Sequence, residues 1–192
     1  MNDNFAFLSS TDIEMSARQL LGCLMVRQYN DTVLVGRIVE TEAYDQEDTA
    51  SHSYRGITPR TKIMFGPAGY LYVYFTYGMH YCANVVCGPE GFGSAVLIRA
   101  VEPLEGMIRM RQYRNKSDFK NLTNGPAKFC QAFGISKELN GHSLRSYPLK
   151  LEILPPVDIA QITTTTRIGI STAQDKLSRF YITNNEFVSH PL

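Results

Sequence analysis

The chain has no tryptophan among its 192 residues, only four cysteines and four histidines, and almost no imbalance of charge: 19 Lys and Arg stand against 18 Asp and Glu, for a formal +1. Each shortage excludes something. Cys23, Cys82, Cys87 and Cys130 contain no C-x-x-C pair, and His52, His80, His142 and His190 lack metal-type spacing such as H-E-x-x-H. A zinc site is therefore not expected, and no cofactor is implied. No apolar run approaches membrane-spanning length, and Met1 to Phe7 carries an acidic residue and no basic one, unlike a signal peptide. Reduced thiols in an intracellular compartment and no membrane partner are the expectation, cytoplasm or nucleoid in a bacterium and nucleus in a eukaryote. The near-neutral balance does not announce a polyanion partner, so any case for nucleic acid rests on where the charges lie. Locally Arg109, Arg111, Arg114, Lys116, Lys120 and Lys128 face only Asp118, a run that by itself reads as a solvated face.

What is present is 44% hydrophobic residues in a length suited to one domain, 1–192. Thr11-Asp-Ile-Glu14 is a capping-box pattern, and Ile13, Ala17, Leu20 and Leu21 then fall on one helical face. Leu24 to Arg27 and Thr32 to Val39 read as a hairpin turning at Asn30-Asp31. Asp45 to Phe65 is polar and too long for a simple turn, and long loops in compact domains are disproportionately functional. Tyr70 to Thr76 and Tyr81 to Val86 read as strands around a reversal at Tyr77-Gly78-Met79, and Ala95 to Val101 as a buried strand. Glu102-Pro103 is expected to start a helix, and Asn124-Gly-Pro-Ala-Lys128 another that Gly134 closes. Leu149 to Leu154, Ile168 to Ile170 and Phe180 to Ile182 look strand-like. With no internal repeat and no linker, one mixed α+β domain fits.

Three constellations could carry chemistry. Glu40 and Glu42 lie two apart on a strand and so share a face. A solvent-facing strand end explains them, and so does a carboxylate held in a pocket as a general base. Arg99 interrupts an apolar run and is a candidate cation beside them, although structural ion pairing explains it equally well. Second, Tyr70, Tyr72 and Tyr74 share a face of an aromatic hairpin that also holds Phe75, Tyr77 and Tyr81. Core packing accounts for most aromatics in strands. This many phenols on one side also suits an accessible platform for nucleobases, stacked at roughly 1–3 kcal/mol each. Tyr77, beside Gly78, is placed to project outward. Third, the helix start at Gly125 to Lys128 offers free amides and a cation to a phosphate, as many helix starts do.

Taken together, the segments Arg37-Ile-Val-Glu-Thr-Glu-Ala-Tyr44, Ala50-Ser-His52, Thr58-Pro-Arg60, Met64-Phe65, Gly69-Tyr-Leu-Tyr-Val-Tyr74, Tyr77-Gly-Met79, Asn84, Leu97 to Gly106, Asn124 to Lys128, Arg167-Ile-Gly-Ile170 and Arg179-Phe-Tyr181 resemble the alkyladenine (3-methyladenine) DNA glycosylase family, in the expected order over nearly the whole chain. The resemblance implies a single mixed α/β domain around a curved antiparallel sheet flanked by helices. It implies a monomer that needs no metal and acts on double-stranded DNA containing damaged purines, leaving an intact abasic site. Glu42 would activate the attacking water, which Arg99 and the backbone carbonyl of Ile168 help to hold. Tyr44 and Tyr74 would stack on the flipped purine, with His52 lining the pocket and Asn84 crowding the purine 2-position. Tyr77 would fill the gap left in the duplex; Met79, Arg60 and Lys128 are expected to touch DNA. Two rivals remain: a non-catalytic nucleic-acid-binding module, which does not need Glu42 and Arg99 together, and a carboxylate-dependent hydrolase of small nucleosides, which has no use for Tyr77.

Overall fold

A strand of 14 residues, Thr32–Asp45, is the spine of the structure, a computed structural model describing residues 4–29, 31–116 and 118–191. The remaining six residues lie outside the description, and with them part of the amino-terminal stretch, of the expected turn at Asn30-Asp31 and of the segment beginning at Ser117. Val33, Val35, Ile38, Val39 and Thr41 are β-branched, which suits a pleated surface. The strands are β1 (Leu24–Tyr29), β2 (Thr32–Asp45), β3 (Leu71–Thr76), β4 (His80–Val86), β5 (Ser94–Glu105), β6 (Leu149–Glu152), β7 (Ile162–Thr165) and β8 (Arg179–Ile182). They form one sheet in the order β3-β4-β5-β2-β1-β6, antiparallel at each junction. Beyond the end of β1, the same edge of β2 is taken over by β8 at Glu40, Thr41 and Glu42, and β7 pairs with β8. The sheet curls into a half-barrel.

Three helices, α1 (Ile13–Leu20), α2 (Met107–Arg114) and α3 (Pro126–Ala132), complete an α+β architecture, as expected. Ile13, Ala17 and Leu20 are buried along α1, and Phe129 and Phe133 fill the core at α3 with Met25, Ile38, Leu71 and Ile98. Burying each such side chain stabilises the fold by about 1.5–3 kcal/mol relative to exposure.

Three local expectations are corrected. Helix α1 is capped by Asp12, whose Oδ1 accepts from Met15 N at 2.8 Å, and not by Thr11. Glu14, the other half of the expected box, instead accepts from Ser178 Oγ at 2.8 Å. Glu102-Pro103 does not begin a helix. Both residues continue β5, with Glu102 opposite Arg37 and ion-paired to it, while Pro103 sits opposite Gly36 beside a register shift, where a missing N–H is tolerated. The turn into α2 comes at Gly106 (φ 82°), where a Cβ would lie 2.6 Å from the Val33 carbonyl oxygen. Finally, Ile168 to Ile170 is a loop, and the strand falls on the threonine-rich Ile162–Thr165 that precedes it. The backbone at Ile168 is drawn away from strand pairing by a carboxylate.

Candidate active site

That carboxylate belongs to β2. Register shifts on either side of Glu40 disturb its pairing with β5, and such irregularities re-aim side chains. Glu40 and Glu42 both turn inward and are fully buried, which overturns a solvent-facing strand end. Between them lies Arg99 of β5, donating from Nε to Glu40 at 3.1 Å and placing Nη1 3.2 Å from Glu42. Burial alone would lower the Arg99 pKa; Glu42 and then Glu40 more than offset this and hold it above its ordinary value.

The two carboxylates differ in what they have left to offer. An ionised carboxylate has about four acceptor positions. Oε1 of Glu40 accepts from Arg99 Nε, from Arg179 Nε at 2.7 Å and from Ser189 Oγ at 2.9 Å, and its Oε2 accepts from Ser189 N at 2.7 Å. Four protein donors thus hold it, and it does not line the cavity beside Glu42. Glu42 accepts at Oε1 from Ile168 N at 2.8 Å and at Oε2 from the Tyr44 hydroxyl at 2.8 Å, beside the Arg99 contact. It therefore keeps acceptor capacity, and it lines a cavity of about 690 Å³.

The cavity gathers residues from four strands and from the segments that connect them. Glu42 and Tyr44 come from β2, Tyr74 from β3, Asn84 from β4, Arg99 from β5, and His52, Arg60, Tyr77 and Ile168 from turns and loops. Tyr44 and Tyr74 both have raised pKa values, in each case first from burial; the next contribution is the Glu42 charge for Tyr44 and Cys82 for Tyr74. Their hydroxyls therefore stay protonated, and Tyr44 can donate to Glu42. His52 Nδ1 lies 3.0 Å from the Tyr72 hydroxyl, and its ring meets Tyr74 edge-on at 4.6 Å between centroids. Loss of solvation, and then the charge of Arg60, lower the His52 pKa to about 4, so the imidazole is neutral near pH 7. Asn84 donates from Nδ2 to the Tyr72 carbonyl at 3.1 Å, which fixes its amide against the cavity wall. Tyr77 is 83% exposed at the rim, with φ 51° in the reversal between β3 and β4.

The aromatic platform is smaller than the sequence implied. Tyr72 is 1% exposed and packs with Met64, Val86 and Ala95, so its ring is largely core. Two other candidates stand apart: Met79 is exposed on the reversal but does not line the cavity, and neither does Lys128. Lys128 Nζ instead donates to Asn124 at 2.7 Å and Asn121 at 3.1 Å, tying the chain that leads into α3. Arg111 and Lys116 of the basic run line a separate shallow hollow with Gln112 and Asn115.

Sequence reasoning gave no role to Arg167, which organises one wall. Its side chain is wholly buried, ion-paired with Asp48, and donates from Nη1 to the Ala43 carbonyl at 3.0 Å. Its guanidinium lies 4.6 Å from the Tyr44 ring centroid. Arg167 does not line the cavity whereas Tyr44 does, so the cation backs the ring from behind. Asp48, in the long polar loop, is the partner that makes this burial possible; nothing in the local sequence joined two residues 119 positions apart.

Known proteins resemble this chain over nearly its whole length. The profile of one family, described as "Methylpurine-DNA glycosylase (MPG)", matches residues 6–186. A protein of Carboxydothermus hydrogenoformans named "Putative 3-methyladenine DNA glycosylase" is 50% identical over 182 residues, covering 93% of this chain and 94% of that one. Proteins of the same name from Methanoculleus marisnigri and Francisella tularensis subsp. tularensis are 48% and 45% identical, over 90% and 98% of this chain and 91% and 99% of their own lengths. With a buried carboxylate–arginine pair under a tyrosine-walled cavity and a match that runs nearly end to end, the chain belongs to the methylpurine-DNA glycosylase family of DNA-repair hydrolases.

Proposed function

We propose that this chain binds double-stranded DNA as a monomer, turns an alkylated or otherwise damaged purine out of the stack, and hydrolyses its N-glycosidic bond to leave an abasic site. The observation that carries this reading is the asymmetry of the two buried glutamates: Glu40 is held by four protein donors away from the cavity lining, while Glu42, held by three, keeps acceptor capacity at a cavity walled by Tyr44 and Tyr74. Glu42 is the base that takes a proton from the attacking water, with Arg99 and the Ile168 carbonyl holding that water. A purine alkylated at N3 or N7 is already a good leaving group. An anion near the anomeric carbon then favours the sugar cation that develops as the bond breaks. No lysine is among the residues lining the cavity, which favours water over an enzyme amine as the nucleophile.

Tyr44 and Tyr74 stack against the extruded base, which cation–π attraction favours when the base is charged. His52 offers its backbone amide to the base edge, and Asn84 crowds the purine 2-position. Tyr77 enters the duplex where the nucleotide leaves, with Met79 beside it, Arg60 touches the DNA at the cavity mouth, and Lys128 meets a phosphate. Flipping costs a few kcal/mol, less for a damaged pair.

The test is release of free 3-methyladenine from methylated duplex DNA, with the strand left unbroken. Glu42→Gln is expected to slow release by at least about a hundredfold, the scale of a lost general base, while an abasic-site duplex still binds. Binding without release by the unaltered protein would leave a non-catalytic module. Release from free nucleosides with none from duplex would leave a small-molecule hydrolase.

A further inference from the structure

The charged side chains lining the cavity are Glu42, Arg99, Arg55 and Arg60. Arg99 and Glu42 are paired, and Arg179 balances Glu40 behind them. Arg167, near the same site, is matched by Asp48. Arg60 differs from these. Among the described residues it has no carboxylate partner; its Nη2 lies 3.4 Å from His52 Nε2, and its guanidinium carbon lies 5.4 Å from the Tyr74 ring centroid. His52 carries no charge near pH 7 that Arg60 would oppose. An uncompensated cation is thus engaged with one of the two rings proposed to hold the base.

A ring whose quadrupole already holds one cation holds a second less well, whichever face each occupies, and the two cations also repel directly. We propose that Arg60 is a specificity-determining residue that weighs this cavity against positively charged purines and towards neutral damaged ones. The inference rests on the proposed function, because it assumes that the cavity takes a purine. A role limited to phosphate contact would change the affinity for every duplex alike. Charge selection changes the preference between lesions, and because Arg60 is open to solvent at the mouth, that preference also responds to salt.

The experiment uses Glu42→Gln protein, so that the glycosidic bond survives, and measures binding to duplexes carrying 3-methyladenine (cationic), ethenoadenine (neutral) or no lesion, neither lesion bearing a 2-amine that Asn84 would oppose. Adding Arg60→Gln is expected to raise the preference for 3-methyladenine over undamaged duplex about fivefold, as for an exposed charge several ångströms away. The preference for ethenoadenine should not rise, and the contrast should shrink with added salt. Arg60→Lys, which restores a positive charge, is expected to return most of the difference. An equal rise for both lesions, or no rise for 3-methyladenine, overturns the proposal. If the unaltered protein still releases 3-methyladenine, such a result defeats the role of Arg60 alone; absence of any release defeats the proposed function itself.

Discussion

Arg99 donates to two carboxylates at once, so its single charge is shared, and the remaining partners decide what each glutamate does. Glu40 holds Arg179 and Ser189 as well, joining β2, β5, β8 and the carboxy-terminal stretch. Glu40→Gln would turn an amide toward donors that need an acceptor, in a site closed to water. Breaking a buried charge pair costs about 3–5 kcal/mol, and that is the expected loss in urea denaturation. Glu42→Gln should cost less stability and more activity. A larger loss for Glu42→Gln than for Glu40→Gln would contradict the division between a structural and a reactive glutamate. At this scale the residue types and their spacing of two were legible in sequence. Which of the pair faces the cavity was not, because that depends on donors from Tyr44, Ile168, Arg179 and Ser189.

At the scale of elements, the reversal between β3 and β4 does two things. It pairs Leu71–Thr76 with His80–Val86, and it lifts Tyr77 onto the cavity rim in a left-handed conformation that a tyrosine rarely adopts. A side chain that is 83% exposed adds little to stability. Tyr77→Ser is therefore expected to change unfolding free energy by no more than about 1 kcal/mol while weakening affinity for damaged duplex, read by titration alongside thermal melting. A large fall in melting temperature would instead mean that the ring supports the fold. The sequence revealed this reversal because Tyr-Gly between two alternating segments is a local signal. It misplaced the end of β5 because Glu-Pro resembles a helix start, whereas β2 offered partners to Glu102, Pro103 and Glu105. It also misread Ile168 to Ile170, whose apolar pattern has no strand to pair with and whose first amide serves Glu42.

Across the whole molecule, stability couples to pH through the site. His52 has a pKa of about 4 in the fold, against an ordinary 6.5. Between these values the unfolded chain binds the proton first, so this contribution is retained in full above pH 6.5, is lost as pH falls toward 4, and changes no further below. His52→Gln should remove that component: the drop in denaturation midpoint between pH 7 and pH 4.5 is expected to be smaller than in the unaltered protein. An identical drop would place the titration elsewhere. The near-neutral net charge hides a local feature of the same kind, with Arg55 and Arg60 at a cavity whose other charges are paired.

The sequence by itself determined most of the strand and helix periodicities, the outward reversal at Tyr77 and the placing of two glutamates on one face of β2, because hydrophobic pattern and turn residues act over a few positions. Through its ordered segments it also determined the family. The tertiary structure decided which glutamate lines the cavity, how Arg167 and Asp48 brace Tyr44 across 119 positions, and that Arg60 has no carboxylate partner among the described residues. These are sums over groups brought together by a curled sheet, and electrostatic balance depends on distance in space, which separation along the chain does not encode.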